Sequence, residues 1–194
     1  DQLRSLSTAQ VRAFTSAQAT ALTSGQVKAL TTSQVNALSS AQVKALDTVD
    51  LAAMGTDQIQ ALSTAGVAGL STDQMTALTS AQFKSMAATQ LATLSNSQIK
   101  TVDTVDLAQL STDQLQSLKA STVAGLTTAQ VASLSTNLVQ ALTTAQVASL
   151  TTDQVVALRT DQAAALKSEQ VAALTTAALA AMETRDFAAL STAG

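Results

Sequence analysis

An eight-residue period runs through this chain without one inserted or deleted residue. With Ser7 as position one, twenty-three complete octads fill residues 7–190, each close to [Ser/Thr/Asp]-[Ser/Thr]-x-Gln-Val-x-Ala-Leu. They are numbered 1 to 23 in chain order below. A fixed short period specifies an array in which each unit contacts its neighbours, not a globule built around one irregular core. The expectation is a single array over 1–194. Its start and stop in mid-octad suggest a segment of a longer protein.

Position eight is apolar in every octad, from Phe14, Leu22 and Leu30 to Leu174, Met182 and Leu190. Position five is equally strict, as in Val11, Val27, Ile59, Met75, Phe83 and Phe187, shrinking only at Ala19 and Ala163. Two apolar residues three apart share one helical face. Position seven is small (Ala13, Ala29, Gly69, Gly125), which permits a close neighbour; Gln109 is its large polar exception. Ser, Thr or Asp at position one with Gln at position four, as in Ser7 and Gln10 or Thr143 and Gln146, matches a helix-starting capping box. The box fails at Lys119, Arg159 and Lys167, where position two holds Ala120, Thr160 and Ser168, and because position two is Ser or Thr almost everywhere a cap one residue later stays open.

The predicted fold is therefore an all-α solenoid or superhelix of very short helices, one per octad. One octad buries too little apolar surface to stand alone and must stack on others. A continuous helix is excluded, because an apolar repeat of 4.0 residues per turn carries the stripe around the surface. The alternative is a β-solenoid with 16-residue coils, favoured by Thr, Val and Gln ladders. Abundant Ala, Leu and Gln, and only six Gly, argue against it. Two apolar positions in every octad argue against disorder.

The chain has no Cys, His, Trp, Tyr or Pro, which removes disulfides, thiol or imidazole metal ligands and imidazole acid–base chemistry. No carboxylate pair suggests an acid and a base. The expectations are no enzymatic activity and no cofactor. A net charge of −3 argues against a general nucleic-acid partner, and the absence of a long apolar run argues against membrane insertion.

Position six should face solvent, and it carries Arg4, Arg12, Lys28, Lys44, Lys84 and Lys100 in the first half but mostly Ala from Ala124 onward. Arg12, Lys28 and Lys44 recur at sixteen residues, so a two-octad coil would align them in one basic stripe. Arg12, Lys28, Lys44, Lys84 and Lys100 are the candidate interaction residues, and a simple solubilising face is the competing reading. The Ala face is a candidate for lateral packing. Asp47-Thr-Val-Asp-Leu51 returns as Asp103-Thr-Val-Asp-Leu107 seven octads later, a sign of segmental duplication. Its Asp residues are read as helix caps and not as a calcium loop, which needs six or more oxygens.

Runs such as Leu142-Thr-Thr-Ala-Gln-Val-Ala-Ser-Leu150 and Leu150-Thr-Thr-Asp-Gln-Val-Val-Ala-Leu158 resemble the Leu-Thr-Thr-x-Gln-Val-x-Ala repeats of very large bacterial secreted or surface proteins described as adhesin-like or haem-utilisation-like. That resemblance implies an extracellular or cell-surface location. Haem ligation finds no support in a chain without His, Cys or Tyr. The expected function is a non-catalytic stiff spacer or stalk. The alternative is a repeat scaffold that binds a partner protein, a polymer or copies of itself. The expected partners are neighbouring repeats or domains of the same protein, with self-association.

Overall fold

Helix formation in each octad starts at its first residue, which is extended while the next four to six turn into a helix. In octad 3, Thr23 sits at φ −86° and ψ 161° and the helix runs Ser24–Ala29. The Val27 N–H closes the first turn onto the Thr23 carbonyl at 2.9 Å. The computed structural model describes residues 2–190. Among them are twenty-three α-helices of four to six residues and one 3-10 helix, Leu3–Ser5. No described residue lies in a strand, which overturns the β-solenoid alternative. Its Thr residues are spent on capping hydroxyls and not on strand surface.

The corner between octads needs no special residue. Position eight is extended, as at Leu30 (φ −62°, ψ 140°), and so is the next position one, as at Thr31 (φ −72°, ψ 158°). No described residue has a positive φ. Two extended residues turn the chain, so the array needs neither Gly nor Pro for its bends. Position one stays the N-cap even at Lys119, Arg159 and Lys167, where helices begin at Ala120, Thr160 and Ser168. The cap one residue later is therefore not used.

Contacts divide the chain into two compact units, Asp1–Thr101 and Val102–Gly194. In unit 1, helix Thr8–Arg12 packs on Thr32–Ala37, and Ser24–Ala29 packs on Thr48–Ala53. In unit 2, Thr104–Ala108 packs on Thr128–Ser133, and Thr152–Val156 packs on Thr176–Ala181. Each pair is three octads apart. Side-chain hydrogen bonds add a second neighbour four octads away, described below. One turn of the solenoid thus spans between three and four octads, or 24 to 32 residues, and the two-octad coil is not formed.

This winding buries positions five and eight together. In unit 1 Val27, Val35 and Val43 are wholly buried and Leu38 and Leu46 nearly so. In unit 2 Leu115, Leu134, Val139 and Val147 play the same part. The small residue at position seven is explained by what it touches, the second residue of the octad three earlier. A Cβ on Gly69 would lie 2.8 Å from the Ser40 Cβ and 2.9 Å from the Ser40 carbonyl oxygen. Ser149 uses the same proximity to donate its hydroxyl to the Ala120 carbonyl at 2.8 Å.

Candidate functional site

The most organised polar feature is the row of glutamines at position four. Each Gln has an amide oxygen that accepts and an NH2 that donates two hydrogen bonds, and the fold uses both ends. The oxygen faces its own helix start. The Thr79 N–H donates to Gln82 Oε1 at 2.9 Å while the Gln82 N–H donates to Thr79 Oγ1 at 3.3 Å, and Ser7 with Gln10 repeats the pair. Where position one lacks a hydroxyl, as at Ala87, Gln90 still accepts from the Ala87 N–H at 2.8 Å. The Gln90 N–H then turns to the Ala87 carbonyl at 2.9 Å.

The NH2 end reaches back four octads. Gln42 Nε2 donates to the carbonyls of Val11 at 3.0 Å and Phe14 at 2.7 Å. Gln82 does the same to Leu51 at 3.0 Å and Met54 at 2.8 Å, and in unit 2 Gln154 bonds Val123 at 3.0 Å and Leu126 at 2.7 Å. The carbonyl between them, at position six, lies farther off, as at Ala52 (3.3 Å). Two hydrogens make two short bonds. These acceptors lie at the end of a helix: the position-five carbonyl also takes the position-eight N–H of its own octad, as Leu51 does from Met54 at 3.1 Å, and the position-eight carbonyl lies just beyond the helix. A buried Gln thus joins the start of one helix to the end of another, and Gln34, Gln82, Gln90, Gln154 and Gln162 are 2% exposed or less. No buried side-chain nitrogen or oxygen among the described residues lacks a partner.

This second role escaped the reading of position four as a capping residue. A signal for it exists in the sequence: a capping box accepts Glu as readily as Gln, yet position four holds Gln in sixteen of twenty-three octads and Glu in none. A carboxylate cannot donate. Where Asp stands there, the bonding changes: Asp50 accepts from the Ser24 hydroxyl at 2.5 Å and Asp186 from the Thr160 hydroxyl at 2.6 Å, each three octads back.

Arg12, Lys28, Lys44, Lys84 and Lys100 are all exposed, but a step of sixteen residues matches neither the 24- nor the 32-residue stacking distance, so Arg12, Lys28 and Lys44 do not form one stripe; Arg12 and Lys44, 32 residues apart, stand at the four-octad distance. The structure gives three of them separate surroundings in unit 1. Arg12 borders an open groove with Thr8, Thr32 and Asn36. Lys28 borders another with Arg4, Thr56 and Asp57, and Lys44 a third with Ser40, Ala68 and Gly69. Position six also has a structural use: the Thr20 hydroxyl and the Asn36 amide donate to the position-seven carbonyls of Ala45 (2.9 Å) and Ala61 (3.0 Å), three octads on. Arg12 Nε makes the corresponding bond to Ala37 at 3.5 Å.

Charge is otherwise sparse. Arg159 pairs with Asp161 at 3.0 Å, and its hydrogen bond holds the exposed Asp161 carboxyl below the ordinary value. Among the described residues no group of three or more His, Cys, Asp or Glu is placed to hold a metal ion. Among the described residues no helix is long and apolar enough to cross a membrane.

The same octads are the signature of a known repeat. The ALTTAQ repeat matches residues 1–32, 21–48, 43–80, 132–160 and 139–176, which together cover more than half of the chain. The chain belongs to the ALTTAQ repeat family. No curated protein gives a significant match. In this ALTTAQ array the Gln of the motif is the residue that joins neighbouring turns. Residues 81–131 and 177–194 lie outside these matches, and both stretches contain departures from the motif, such as Ala87, Lys119 and Glu183 at position one.

Proposed function

We propose that this ALTTAQ array is a non-catalytic structural segment, a stiff spacer that holds apart whatever flanks it. The observation that supports the reading is the lattice of buried Gln amides. Within each unit it ties one turn to the next through backbone atoms, and among the described residues no inserted loop interrupts the octads to build a pocket. A location at or outside a bacterial cell surface belongs to the same proposal and comes from the resemblance of the repeats.

The chain has no Cys, so single labels can be placed at will. Spin labels at Lys28→Cys and Lys100→Cys, both exposed in unit 1, should give a narrow distance distribution, and deleting whole octads between them should keep it narrow while shifting it. A broad distribution, with a mean that changes as the square root of the number of residues between labels, is the behaviour of a flexible linker and would refute the spacer.

A second reading, a scaffold for an acidic partner, is favoured by the exposed basic residues Arg12, Lys28, Lys44, Lys84 and Lys100. Changing the four lysines together to Ser should abolish such binding without altering the helical circular dichroism. Unchanged binding to an acidic polymer such as polyglutamate would remove this reading.

A further inference from the structure

In each unit one octad lacks the side chain that joins one turn to the next, while the backbone groups it would bond stay in place. Gly66 stands at position four of octad 8 in unit 1, and Ala178 at position four of octad 22 in unit 2. Both are buried. Each keeps the usual hydroxyl cap: the Gly66 N–H donates to Ser63 Oγ at 3.0 Å and the Ala178 N–H to Thr175 Oγ1 at 3.1 Å. What these octads lack is the amide. Among the described residues the Ser63 N–H donates to nothing, and the Leu38 carbonyl, four octads back, accepts from nothing. The same holds for the Thr175 N–H and the Leu150 carbonyl. Leu38 and Leu150 are 2% and 6% exposed, and an unpaired carbonyl in so buried a residue is uncommon. The position-five carbonyls beside them are better served, since Val35 takes the Leu38 N–H at 3.2 Å and Val147 the Leu150 N–H at 3.1 Å.

Neighbouring octads show what fits between such a donor and such an acceptor. At Gln58 a primary amide accepts from the Gly55 N–H at 2.9 Å and donates to the Leu30 carbonyl at 2.7 Å. The place can also take an apolar side chain: in octad 17 it holds Leu138, close to Gln in size and 4% exposed. A Cβ on Gly66 would lie 3.3 Å from Val43 Cγ2, and Ala178 has its own Cβ. At both sites the part to be supplied is therefore the one beyond Cβ, a methylene and an amide.

We propose that each of these two places binds a small primary amide, its oxygen on the Ser63 or Thr175 N–H and its NH2 on the Leu38 or Leu150 carbonyl. Acetamide is the matching probe, because its methyl stands for the Gln Cγ and its CONH2 for the Gln amide. Water can pair with the same two groups but leaves the apolar contact of the methylene unmade. A ligand that reproduces both hydrogen bonds displaces such a water without losing them. A carboxylate of the same shape is refused, since it accepts from the N–H but has nothing to donate to the carbonyl. The proposal stands independently of the spacer reading.

The test is an NMR titration of the backbone amides of the whole chain with acetamide from about 1 to 100 mM, the range open to so small a ligand. The Ser63 and Thr175 N–H signals should shift along saturating curves, while that of Thr79, already engaged by Gln82 Oε1, stays in place. Sodium acetate over the same range should give no saturating shift. Gly66→Gln fills one place from within, so the Ser63 response should vanish and the Thr175 response remain. Ala178→Gln should do the reverse, which keeps the test open if one variant fails to fold. Signals that do not move overturn the proposal. So do shifts that grow linearly at every amide, which are an effect of the changed solvent, and so does a saturating Ser63 shift that survives Gly66→Gln.

Discussion

A glutamine at position four does work that no other side chain can do at that place. It must accept from its own helix start and donate to carbonyls four octads back. Alanine can do neither, and glutamate only the first. Gln82→Ala should therefore cost about 2–4 kcal/mol, because it takes the Gln82 side chain away from the Thr79 N–H and the buried Met54 carbonyl and opens a cavity. Gln18→Ala, at an exposed position, should cost about 1 kcal/mol or less. Urea denaturation of the two variants checks the contrast. Glycines make a second pair. Gly69→Ala drives a methyl into the Ser40 backbone and should destabilise by about 1–3 kcal/mol. Gly25→Ala meets nothing within 4 Å and lies in the helix Ser24–Ala29, so it should stabilise by about 0.5–1 kcal/mol. Thermal melts that rank these two in the other order would refute the close approach at position seven.

At the scale of one helix, the start signals were legible because they are local. Ser7 and Gln10 are three residues apart, and so are Val27 and Leu30. Helix geometry alone decides what such spacings mean. Lys119 and Lys167 misled because a missing hydroxyl looks like a missing cap, yet the extended conformation and the Gln reach-back at Lys167 hold position one in place. Restoring a hydroxyl where only half the box exists should therefore help: Ala87→Ser is expected to add about 0.5–1 kcal/mol, read from the melting temperature. The start of helix Thr160–Ala164 carries the one charge pair that shifts a titration. The Arg159 hydrogen bond and charge lower the Asp161 pKa, so the stabilisation is present at neutral pH and disappears as pH falls through the lowered value. In Arg159→Ala the Asp161 carboxyl should titrate at higher pH, which a carbon-detected NMR titration of the aspartates would show. An unmoved value would mean that the pair does not persist in solution.

For the molecule as a whole, the number of octads per turn was not legible. A repeat of eight fits coils of two, three or four octads equally well, since local pattern fixes each helix but not how far the chain travels before meeting itself. The candidate basic residues share that fate: Arg12, Lys28 and Lys44 are evenly spaced in sequence, yet one step of sixteen matches neither distance at which octads stack, and of the three pairs Arg12 with Lys44 alone spans four octads. Where the array does speak at this scale is in its tolerance of length. Deleting octad 9, residues 71–78, leaves every later Gln with a carbonyl set four octads behind it, so folding and helical content per residue should be retained. Inserting one Ala after Leu78 moves later glutamines out of phase with the carbonyls before it. It should lower the urea midpoint of unit 1 clearly below that of the deletion variant.

The backward reach of the glutamine gives the array a direction in time. Gln42, Gln58 and Gln98 each bond carbonyls 28 to 31 residues nearer the N-terminus, so during synthesis the acceptor is always made before the donor that holds it. At translation rates of about 5–20 residues per second the delay is roughly 2–6 s. Each octad with a position-four Gln leaves the ribosome with its clasp and finds the turn it must grip already outside. The chain can be wound as it is made, without waiting for a distant segment to be completed.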